Sequence, residues 1–562
     1  MIRRGMVRLD RSAGEDNGRG SGTLRDGGPR PRIPPVRRLR LHLFADFSSG
    51  PSRLGLERLD EYGIARSAVL RCNWPRGKVL GGSSVLNYML YVRGNKKDYD
   101  IWEHLGNYGW GFKDVLYYFK KSEDNQNPYI ARNKKYHGVG GYLTVMEPPW
   151  RSPLSVAFVE AGIEMGYENL DFNAHQQTGF MIPQGTIRRG ARCSTAKAFL
   201  RPVRLRPNLD VSMRSFVHKV LIDNHKRAWA VKFEKDGNIR KVKARKEIIL
   251  CAGAVGSPHI LMVSGVGPRA HLEEHGIHVH SDLKVGYNLQ DHIGIGGLTF
   301  LIKEPVALIQ SRFENIPSIL KYAMFGKGPL TVLGGIEGLA FINTKYANKS
   351  DDFPDVEFHF TSGTAASDGG RQIRRIHGLN NRVWHEYYKP IAFKDNWTAF
   401  PTLLRPKSHG VIKLRSRNPH DYPLIYPNYL TNPDDVARLV EGMKLVVVMS
   451  ETKAFKRYGS KLYRKPFPGC EHIQLYTDAY WECIVRGYTE TIYHPAGTAK
   501  MGPHWDKEAV VDPELRVYGI EGLRVADCSI MPIIVSGNTN APVIMIGEKV
   551  ADMVKATWGK HR

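Results

Sequence analysis

The sequence of 562 residues has no lysine before Lys78, although sixteen arginines precede it. Residues 14–35 are mostly glycine, proline, arginine and serine and contain almost no apolar side chain. Such a composition cannot bury enough apolar surface to offset the entropy lost on ordering. We therefore predict that residues 1–70 are an atypical, disordered segment and that the globular part of the chain begins near residue 71.

Other absences exclude whole classes of protein. No apolar run reaches the roughly 18 residues that cross a membrane, and no apolar core of about 7–15 residues follows the charged start, so neither a membrane span nor a signal peptide is predicted. The six cysteines include no CxxC pair, which argues against a zinc site but leaves one or two disulfides open. The net charge of +26 is spread along the chain without a basic stripe, so we predict no nucleic-acid partner.

From residue 72 onward the composition is that of a globular protein, and the length of the chain predicts two or more domains. Helical periodicity runs over Tyr99–Ser122, and further amphipathic helices are predicted at Asp434–Ser450 and Ala541–Trp558. Apolar and polar residues alternate over Leu209–Asp223, which predicts a strand. A second alternating run leads into Asp236-Gly237, a hairpin signal. Helices and strands therefore mix, without an internal repeat.

The most informative segment is Gly77–Asn87, which carries two adjacent glycines, two serines and a final asparagine. Adjacent glycines let the backbone approach a large ligand closely, and the serine hydroxyls offer hydrogen bonds to it. Taken alone, the segment also fits an ordinary turn before a core segment. Its weight comes from two distant blocks of similar character, Gly253–Gly267 and Tyr493–Gly502.

Two histidines in these blocks are candidates for acid–base chemistry. His494 lies between an aromatic residue and a proline, a setting that holds a side chain in one place, as a general base requires. His259 lies in the second block, where a histidine is more often structural. Two asparagines, Asn538 and Asn540, precede the last predicted helix, and Asn540 also fits a turn or a helix cap.

The three blocks, in this order, resemble the signatures of the glucose–methanol–choline (GMC) oxidoreductases, which are FAD enzymes that oxidise alcohols. The resemblance covers roughly residues 71–556, and Arg192–Leu200 looks most like the insect glucose dehydrogenases of this family. It implies an α/β fold in which a split, Rossmann-like FAD-binding domain is interleaved with a substrate domain on an antiparallel sheet. On this basis residues 71–300 hold most of the FAD-binding domain, residues 301–402 a substrate-domain segment, and residues 403–556 the C-terminal region with the catalytic residues.

The resemblance also implies roles for single residues. His494 takes the proton of the substrate hydroxyl, and Asn538 pairs with it across the substrate. Asn540 is the nearest competitor for that second role. The residues implied to bind FAD are Val79, Gly81, Gly82, Ser83, Asn87, Leu90, Val217, Tyr493, Asp527 and Asn540. No residue is implied to bind a metal.

One element of the family is missing from the sequence. Members open with a strand, a Gly-x-Gly-x-x-Gly turn and a helix whose N-terminus holds the FAD pyrophosphate. The only related segment, Gly18–Gly22, has no apolar strand before it and no helical pattern after it. We therefore predict weak FAD binding by this chain. A faulty gene model and a true truncation would each explain the break in composition near Arg71.

The implied reaction is oxidation of the CH–OH group of an alcohol or of a sugar such as glucose, with hydride transfer to flavin N5 and reoxidation by a quinone or another acceptor. Two alternatives stay open: an oxidase of a steroid or aromatic alcohol, and a flavin-free relic that acts as a binding or structural protein. The resemblance predicts an extracellular location, and two N-glycosylation sequons agree with it, Asn348-Lys349-Ser350 and Asn396-Trp397-Thr398. The oligomeric state is not predicted.

Overall fold

The computed structural model describes residues 41–45 and 72–559 of the chain, and its helices and strands alternate along the sequence. The strands are β1 (Leu41–Ala45), β2 (Glu123–Asn125), β3 (Leu143–Val145), β4 (Gly179–Met181), β5 (Ile187–Arg188), β6 (Ala191–Arg192), β7 (Leu209–Met213), β8 (Ser215–Ile222), β9 (Ala228–Lys235), β10 (Asn238–Lys243), β11 (Ile248–Leu250), β12 (Ile293–Ile295), β13 (Phe300–Leu301), β14 (Ile336–Ile342), β15 (Val356–Thr361), β16 (Asn396–Leu403), β17 (Val411–Lys413), β18 (Leu424–Tyr426), β19 (Lys461–Leu462), β20 (Thr489–Thr491) and β21 (Leu523–Val525). The α-helices are α1 (Lys96–His104), α2 (Phe112–Ser122), α3 (Pro153–Glu164), α4 (Gly253–Val263), α5 (Arg269–Glu274), α6 (Gln310–Phe313), α7 (Ile316–Phe325), α8 (Ile373–Ile376), α9 (Asn381–Val383), α10 (Pro433–Ser450), α11 (Lys453–Lys456), α12 (Asp478–Gly487) and α13 (Asn540–Trp558).

Three predicted elements have bounds in the structure that are close to the predicted ones. The helix predicted at Asp434–Ser450 is α10, and the side chain of Asn432 caps its first turn. The helix predicted at Ala541–Trp558 is α13. The predicted hairpin joins β9 to β10, and Asp236 and Gly237 have φ angles of 51° and 76°, the positive values that a tight two-residue turn requires.

Two predicted elements are interrupted in the structure. Tyr99–Ser122 is not one helix, because the chain breaks between α1 and α2, where Gly106 and Gly109 have positive φ angles that a helix cannot accommodate. The strand predicted at Leu209–Asp223 is divided into β7 and β8 by Arg214, whose φ is also positive. In both cases the apolar pattern continues across a backbone turn that periodicity alone does not reveal.

One strand is present in the N-terminal segment that the sequence predicts to be disordered. Residues 41–45 form β1, which pairs in parallel with β7 over five residue pairs. The prediction of disorder for residues 1–70 therefore does not apply to this strand. The other residues of that segment, including 14–35, lie outside the described part of the chain.

A large antiparallel sheet forms one half of the molecule. Its main order is β19-β13-β16-β15-β14-β4, and β12 joins it by pairing with β16 and β20. Helix α10 packs on β16, and α3 packs on β4 and β14. In the centre of this half the rings of Phe300, Trp397 and Phe455 stack with centroid separations of 4.1 and 4.2 Å. Burial of such large apolar surfaces is the main force that holds the layers together.

The other half is built on parallel strand pairs and on the antiparallel sheet β10-β9-β8. Its most distant pairing joins β11 to β21 in parallel, so that Ile248 lies opposite Leu523. Helix α4 begins directly after β11, and α13 begins a short distance after β21. The carboxyl ends of parallel strands are where α/β proteins bind their ligands, and both strand ends here open onto one cavity.

The chain passes back and forth between these two halves. The buried residues of the first core come from 74–145, 193–289, 412–414 and 496–550. Those of the second core come from 154–180, 293–403 and 430–488. This alternation confirms the predicted α/β fold, in which a split domain is interleaved with a second domain on an antiparallel sheet.

All six cysteines lie in the described part of the chain, and two of them form a disulfide, which the sequence left open. Cys470 is bonded to Cys483, so that α12 is tied to the loop before it. The other four cysteines are free. Among the described helices, none is both long enough and apolar enough to cross a membrane.

Candidate active site

A cavity of about 3220 Å³ lies where the two halves meet. Its walls include Ile248 and Gly253 from the first half and His359 and Phe400 from the second. The structure brings every predicted site residue to this one cavity, namely Val79, Gly81, Gly82, Ser83, Asn87, Leu90, Val217, Tyr493, His494, Asp527, Asn538 and Asn540. These residues come from five separated stretches of sequence, so their convergence is a property of the fold.

The glycine block forms a compact loop along one wall. Gly81 and Gly82 have φ angles of 101° and 56°, which favour glycine. Ser84 Oγ donates to the carbonyl oxygen of Gly81 at 2.6 Å, and Arg192 Nη1 donates to Asn87 Oδ1 at 2.7 Å, so the loop is braced at both ends. A Cβ atom on Gly82 would meet no atom of the described residues within 4 Å. The bare backbone therefore faces open space, as a wall against a large flat ligand must.

Another part of the cavity wall is formed around Asp527, which lies just after β21. One carboxylate oxygen accepts hydrogen bonds from the Gly253 N–H at 2.9 Å and from Ser257 Oγ at 2.6 Å. The other accepts from the N–H and the hydroxyl of Ser529. The side chain thus ties β21 to the first turn of α4. All four of these hydrogen bonds come from the protein itself, so Asp527 holds this part of the cavity wall in place.

His494 lies just after β20, on a turn whose backbone is held by side chains. Tyr493 has a φ of 70°, a conformation that few residues other than glycine adopt. Its N–H donates to Thr491 Oγ1 at 2.8 Å, and the His494 N–H donates to Asp291 Oδ1 at 2.9 Å. The second oxygen of Asp291 accepts hydrogen bonds from the hydroxyls of Thr491 and Tyr429. The backbone that presents the imidazole of His494 to the cavity therefore has little freedom.

A chain of hydrogen bonds fixes which nitrogen of His494 carries a proton. His292 Nε2 lies 3.0 Å from the carbonyl oxygen of Leu404, which can only accept, so this nitrogen is protonated. In neutral His292 the Nδ1 atom is then an acceptor, and His494 Nδ1, 3.0 Å away, donates to it. The Nε2 atom of neutral His494 is then unprotonated and carries a lone pair. It faces the Asn538 amide nitrogen at 3.4 Å, as an acceptor should.

The electrostatics of the site keep these histidines neutral. Burial lowers the pKa of His494 well below its usual range, and the neighbouring His292 and His359 add to the effect. Burial also lowers the pKa of His292 to about 4. Removing water penalises the charged imidazolium more than the neutral ring. At neutral pH His494 is therefore in the form that can accept a proton.

Asn538 joins two histidines and keeps one polar atom available. Its Nδ2 atom lies 3.3 Å from His359 Nε2 and 3.4 Å from His494 Nε2. The tautomer of His494 requires the amide nitrogen, not the oxygen, to face the rings. The Asn538 Oδ1 atom is buried and has no hydrogen-bond partner among the described residues. Asn540 lines the same cavity but begins α13, and it is Asn538 that contacts His494.

Three residues of the site were not predicted from the sequence: Asp291, His292 and His359. The first two directly precede β12, whose residues are all buried, so a polar pair at its entrance needs partners inside the protein. His359 alternates with Phe358 and Phe360 in β15, and this period of two places it on the face away from the phenyl rings. These two local patterns could have indicated the buried polar side chains in advance, but neither shows which residue each side chain contacts.

The buried carboxyl group of Glu357 lies next to His359. Glu357 Oε1 lies 3.5 Å from His359 Nε2, and both oxygens of Glu357 are buried without a hydrogen-bond partner among the described residues. Burial raises the pKa of Glu357 well above its usual range and lowers that of His359 to about 3. Burial thus disfavours the charged form of both groups.

The other histidine candidate lies away from this constellation. His259 is in α4, with 3% of its surface exposed, and it does not line the cavity. Burial lowers its pKa to about 4. Its placement agrees with the structural interpretation of a histidine in such a helix.

Comparisons with known proteins agree with the geometry. The family models of the N-terminal and C-terminal parts of GMC oxidoreductases match residues 63–294 and 406–547. The chain is 43% identical over 492 residues to a glucose dehydrogenase [FAD, quinone] of Drosophila melanogaster, which covers 87% of the chain and 76% of that protein. It is 39% identical over 493 residues to an oxygen-dependent choline dehydrogenase of Rhizobium meliloti (strain 1021), covering 86% of the chain and 82% of that protein.

A solved structure of a formate oxidase variant from Aspergillus oryzae RIB40 superposes with a TM-score of 0.75 at 27% identity. The match covers 86% of the chain and 85% of that protein. The two family models match the N-terminal and C-terminal parts of the chain, and the identity to the Drosophila protein extends over most of its length. The chain therefore belongs to the GMC oxidoreductase family.

Proposed function

We propose that this protein oxidises the CH–OH group of an alcohol or sugar, with His494 as the general base and FAD as the cofactor. The observation that carries the proposal is the unprotonated Nε2 atom of His494, which faces the cavity beside the Asn538 amide. A positioned, neutral imidazole is the group that removes a hydroxyl proton most often in enzymes. The similarity to a glucose dehydrogenase and to a choline dehydrogenase also supports the proposed reaction.

The protein's own residues supply position and proton transfer. An alcohol oxygen within hydrogen-bond reach of both side chains would give its proton to His494 Nε2 and accept a hydrogen bond from the Asn538 amide. The Nδ1–H group of His494 remains bonded to His292, so the imidazolium keeps its orientation. The hydrogen bond from the Asn538 amide to the substrate oxygen strengthens as negative charge develops on that oxygen. FAD supplies the acceptor for the hydride when it is bound.

The walls of the cavity fit a large planar cofactor. Gly82, Gly253 and Gly547 all line it, and a Cβ atom on any of them would meet nothing within 4 Å in the part of the chain that the structure describes. Backbone without side chains is what lets a ring system lie flat against a wall. The residues that we propose to hold the flavin end are those of the loop from Val79 to Leu90, together with Tyr493.

The first prediction concerns cofactor content. We expect the purified chain to carry clearly less than one FAD per molecule, because its sequence lacks the glycine turn that holds the pyrophosphate. Replacing residues 1–71 with the N-terminal region of the Drosophila melanogaster relative should restore stoichiometric flavin. The measurement is the flavin absorbance of the protein before and after denaturation. One tightly bound FAD on the unmodified chain would refute the prediction and show that the remaining walls suffice.

The substrate and acceptor are proposed from the relatives. We propose a sugar as the substrate and a quinone as the electron acceptor, as in the name of the Drosophila enzyme. The experiment is anaerobic rapid mixing of the flavin-loaded protein with glucose and, separately, with choline, followed by reoxidation with a quinone or with oxygen. Fast reduction by choline and not by glucose would transfer the proposal to the choline branch. Reduction by neither would exclude both substrates.

We also propose that the protein is secreted. The disulfide between Cys470 and Cys483 fits an oxidising compartment. The two sequons differ in the structure: Asn348 is exposed in a loop, whereas Asn396 is fully buried in β16, where its amide nitrogen donates to the Lys394 carbonyl. Only the first sequon therefore supports the proposal.

The second prediction follows from this difference. When the chain is expressed behind a secretion signal in insect cells, we expect the folded protein to carry a glycan at Asn348 and none at Asn396. A glycan on Asn396 has no room in the sheet, so molecules that receive one should not fold. Peptide mass spectrometry with and without deglycosylation measures the occupancy of each site, and Asn348→Gln is the control. A glycan on Asn396 of the folded protein would contradict the burial of β16.

A further inference from the structure

We propose that His218, Glu234 and His420 bind a divalent transition-metal ion, with Zn²⁺ as the best match. The three side chains meet on the outer face of the β10-β9-β8 sheet, and none of them lines the cavity. No zinc site was predicted from the sequence, because the cysteines include no CxxC pair, and the present set of residues contains no cysteine. A set of two histidines and one glutamate, spread over more than 200 residues, leaves no short motif in the sequence.

The spacing of the ligand atoms fits one ion. Glu234 Oε2 lies 3.4 Å from His218 Nε2 and 3.1 Å from His420 Nε2, and the three atoms all lie within 4.8 Å of one another. Zinc binds histidine nitrogen and carboxylate oxygen at about 2.0–2.2 Å, so adjacent ligands of a tetrahedral site lie roughly 3.3–3.5 Å apart. The separation of 3.4 Å lies in this range, and the separation of 3.1 Å is slightly shorter. Three protein ligands leave the fourth position to water.

The ligands are carried by three elements that the fold brings together. His218 is the extra residue of a β-bulge in β8, where the pairing with β9 shifts between Val217 and Lys219. Glu234 lies in β9 opposite Phe216. The ring of His420, in the loop between β17 and β18, stacks on Phe216 with a centroid separation of 4.5 Å and an angle of 13°. The bulge and the stacked ring therefore aim both histidines at the same carboxylate.

Two charged side chains act on an ion at this site. Glu234 supplies the negative charge that a divalent ion needs. Lys232 is the cation that opposes binding, and it lies two residues before Glu234 in β9, where it pairs with Lys219.

A second cluster on the same chain provides a matched control. His271, Glu274 and His275 also bring three potential ligand atoms within 4.8 Å of one another. However, the Leu414 N–H donates to His271 Nε2 at 2.9 Å, so neutral His271 carries its proton on Nδ1, the atom that faces Glu274 at 3.6 Å. This cluster therefore lacks a free lone pair at its centre, and we infer that it does not bind metal.

The third prediction tests the site with the metal alone. The full chain is treated with a chelator, dialysed and titrated with Zn²⁺ by calorimetry, and Co²⁺ absorption reports the coordination geometry. We expect one ion per chain and a rise in melting temperature with Zn²⁺, because a ligand that binds only the native state stabilises it. His420→Gln should weaken binding by about tenfold or more, since even indirect partners of a metal contribute 10–100-fold.

The controls separate a metal site from a simple ion pair. His420 is half exposed, so its replacement should leave the fold intact, and the melting temperature without metal verifies this. The double variant His271→Gln, His275→Gln should bind Zn²⁺ as the unmodified chain does. Absence of Zn²⁺ binding by the unmodified chain, or equal binding by His420→Gln, would overturn the proposal and leave a pH-dependent ion pair. Loss of binding in the double variant would assign the ion to the other cluster.

Discussion

Replacing His494 with alanine in the flavin-loaded protein is expected to slow reduction of the flavin by substrate by about 10²–10⁴-fold, the range for loss of a positioned acid–base group. The Nε2 atom of His494 is the proposed proton acceptor, and the contact of its backbone N–H with Asp291 does not depend on the ring. Flavin content should therefore change little. Anaerobic rapid mixing at saturating substrate measures the chemical step directly.

The matched control for this prediction is His259→Ala. His259 is buried in α4 away from the cavity, so its loss should lower the free energy of unfolding without slowing flavin reduction in molecules that retain FAD. If His259→Ala slowed reduction as much as His494→Ala, with flavin retained, the assignment of the base would be wrong. Normalising each rate to bound flavin keeps a folding defect from being mistaken for a catalytic one.

The pH dependence offers an independent test of the same base. Protonated His494 cannot accept the substrate proton, so the reduction rate falls on the acid side of its pKa. Burial places this pKa well below the usual histidine value of about 6.5. The rate of the unmodified protein should stay level as the pH falls through 6.5 and decline only at lower pH. A decline centred at neutral pH would show that a group with an ordinary or raised pKa limits the reaction.

Replacing Asn538 with alanine is expected to raise the barrier of the chemical step by about 2.7–4 kcal/mol, or roughly 10²–10³-fold in rate, by comparison with other donors to a developing oxyanion. The Asn538 amide donates most strongly when the substrate oxygen has lost its proton, a charge that is absent in the ground state. Loss of such an interaction lowers kcat and kcat/KM together and leaves KM nearly unchanged. Steady-state kinetics and rapid-mixing reduction should therefore agree.

Two further variants identify the donor. Asn538→His should be milder than Asn538→Ala, because an imidazole N–H can also donate a hydrogen bond. Asn540→Ala should affect stability or flavin retention more than chemistry, because Asn540 is the first residue of α13. An unchanged reduction rate in Asn538→Ala, together with a large loss in Asn540→Ala, would move the oxyanion role to Asn540.

The sequence predicted the parts of the site that carry their own local signal. The glycines at 81 and 82 and the Tyr493-His494-Pro495 turn are recognisable because unusual backbone conformations require particular residues nearby. The family resemblance, and not a local pattern, implied the other site residues, and all twelve line one cavity. The helices α10 and α13 were predicted for a similar reason, since their apolar period and their first turns are local properties.

What the sequence did not reveal depends on pairing between distant segments. His292 acquires a role only because β12 places it next to a turn that lies about 200 residues later, and His359 acquires one only through the register of β15. The breaks at Gly106 and Arg214 were missed because apolar periodicity continues across them. The set His218, Glu234 and His420 depends on a β-bulge and a stacked ring, neither of which leaves a spacing that could be recognised in advance.

The alternation of the chain between two cores governs when the protein can become active during synthesis. The first core is completed only by residues 496–550, and the paired residues Ile248 and Leu523 of β11 and β21 are 275 positions apart. Contacts between such distant segments slow folding and extend the time that apolar surface stays exposed. Neither core is encoded by one continuous stretch, so a fragment of the sequence supplies only part of each. A chain that ended before Asn538 would lack all of α13 and would therefore have an incomplete first core.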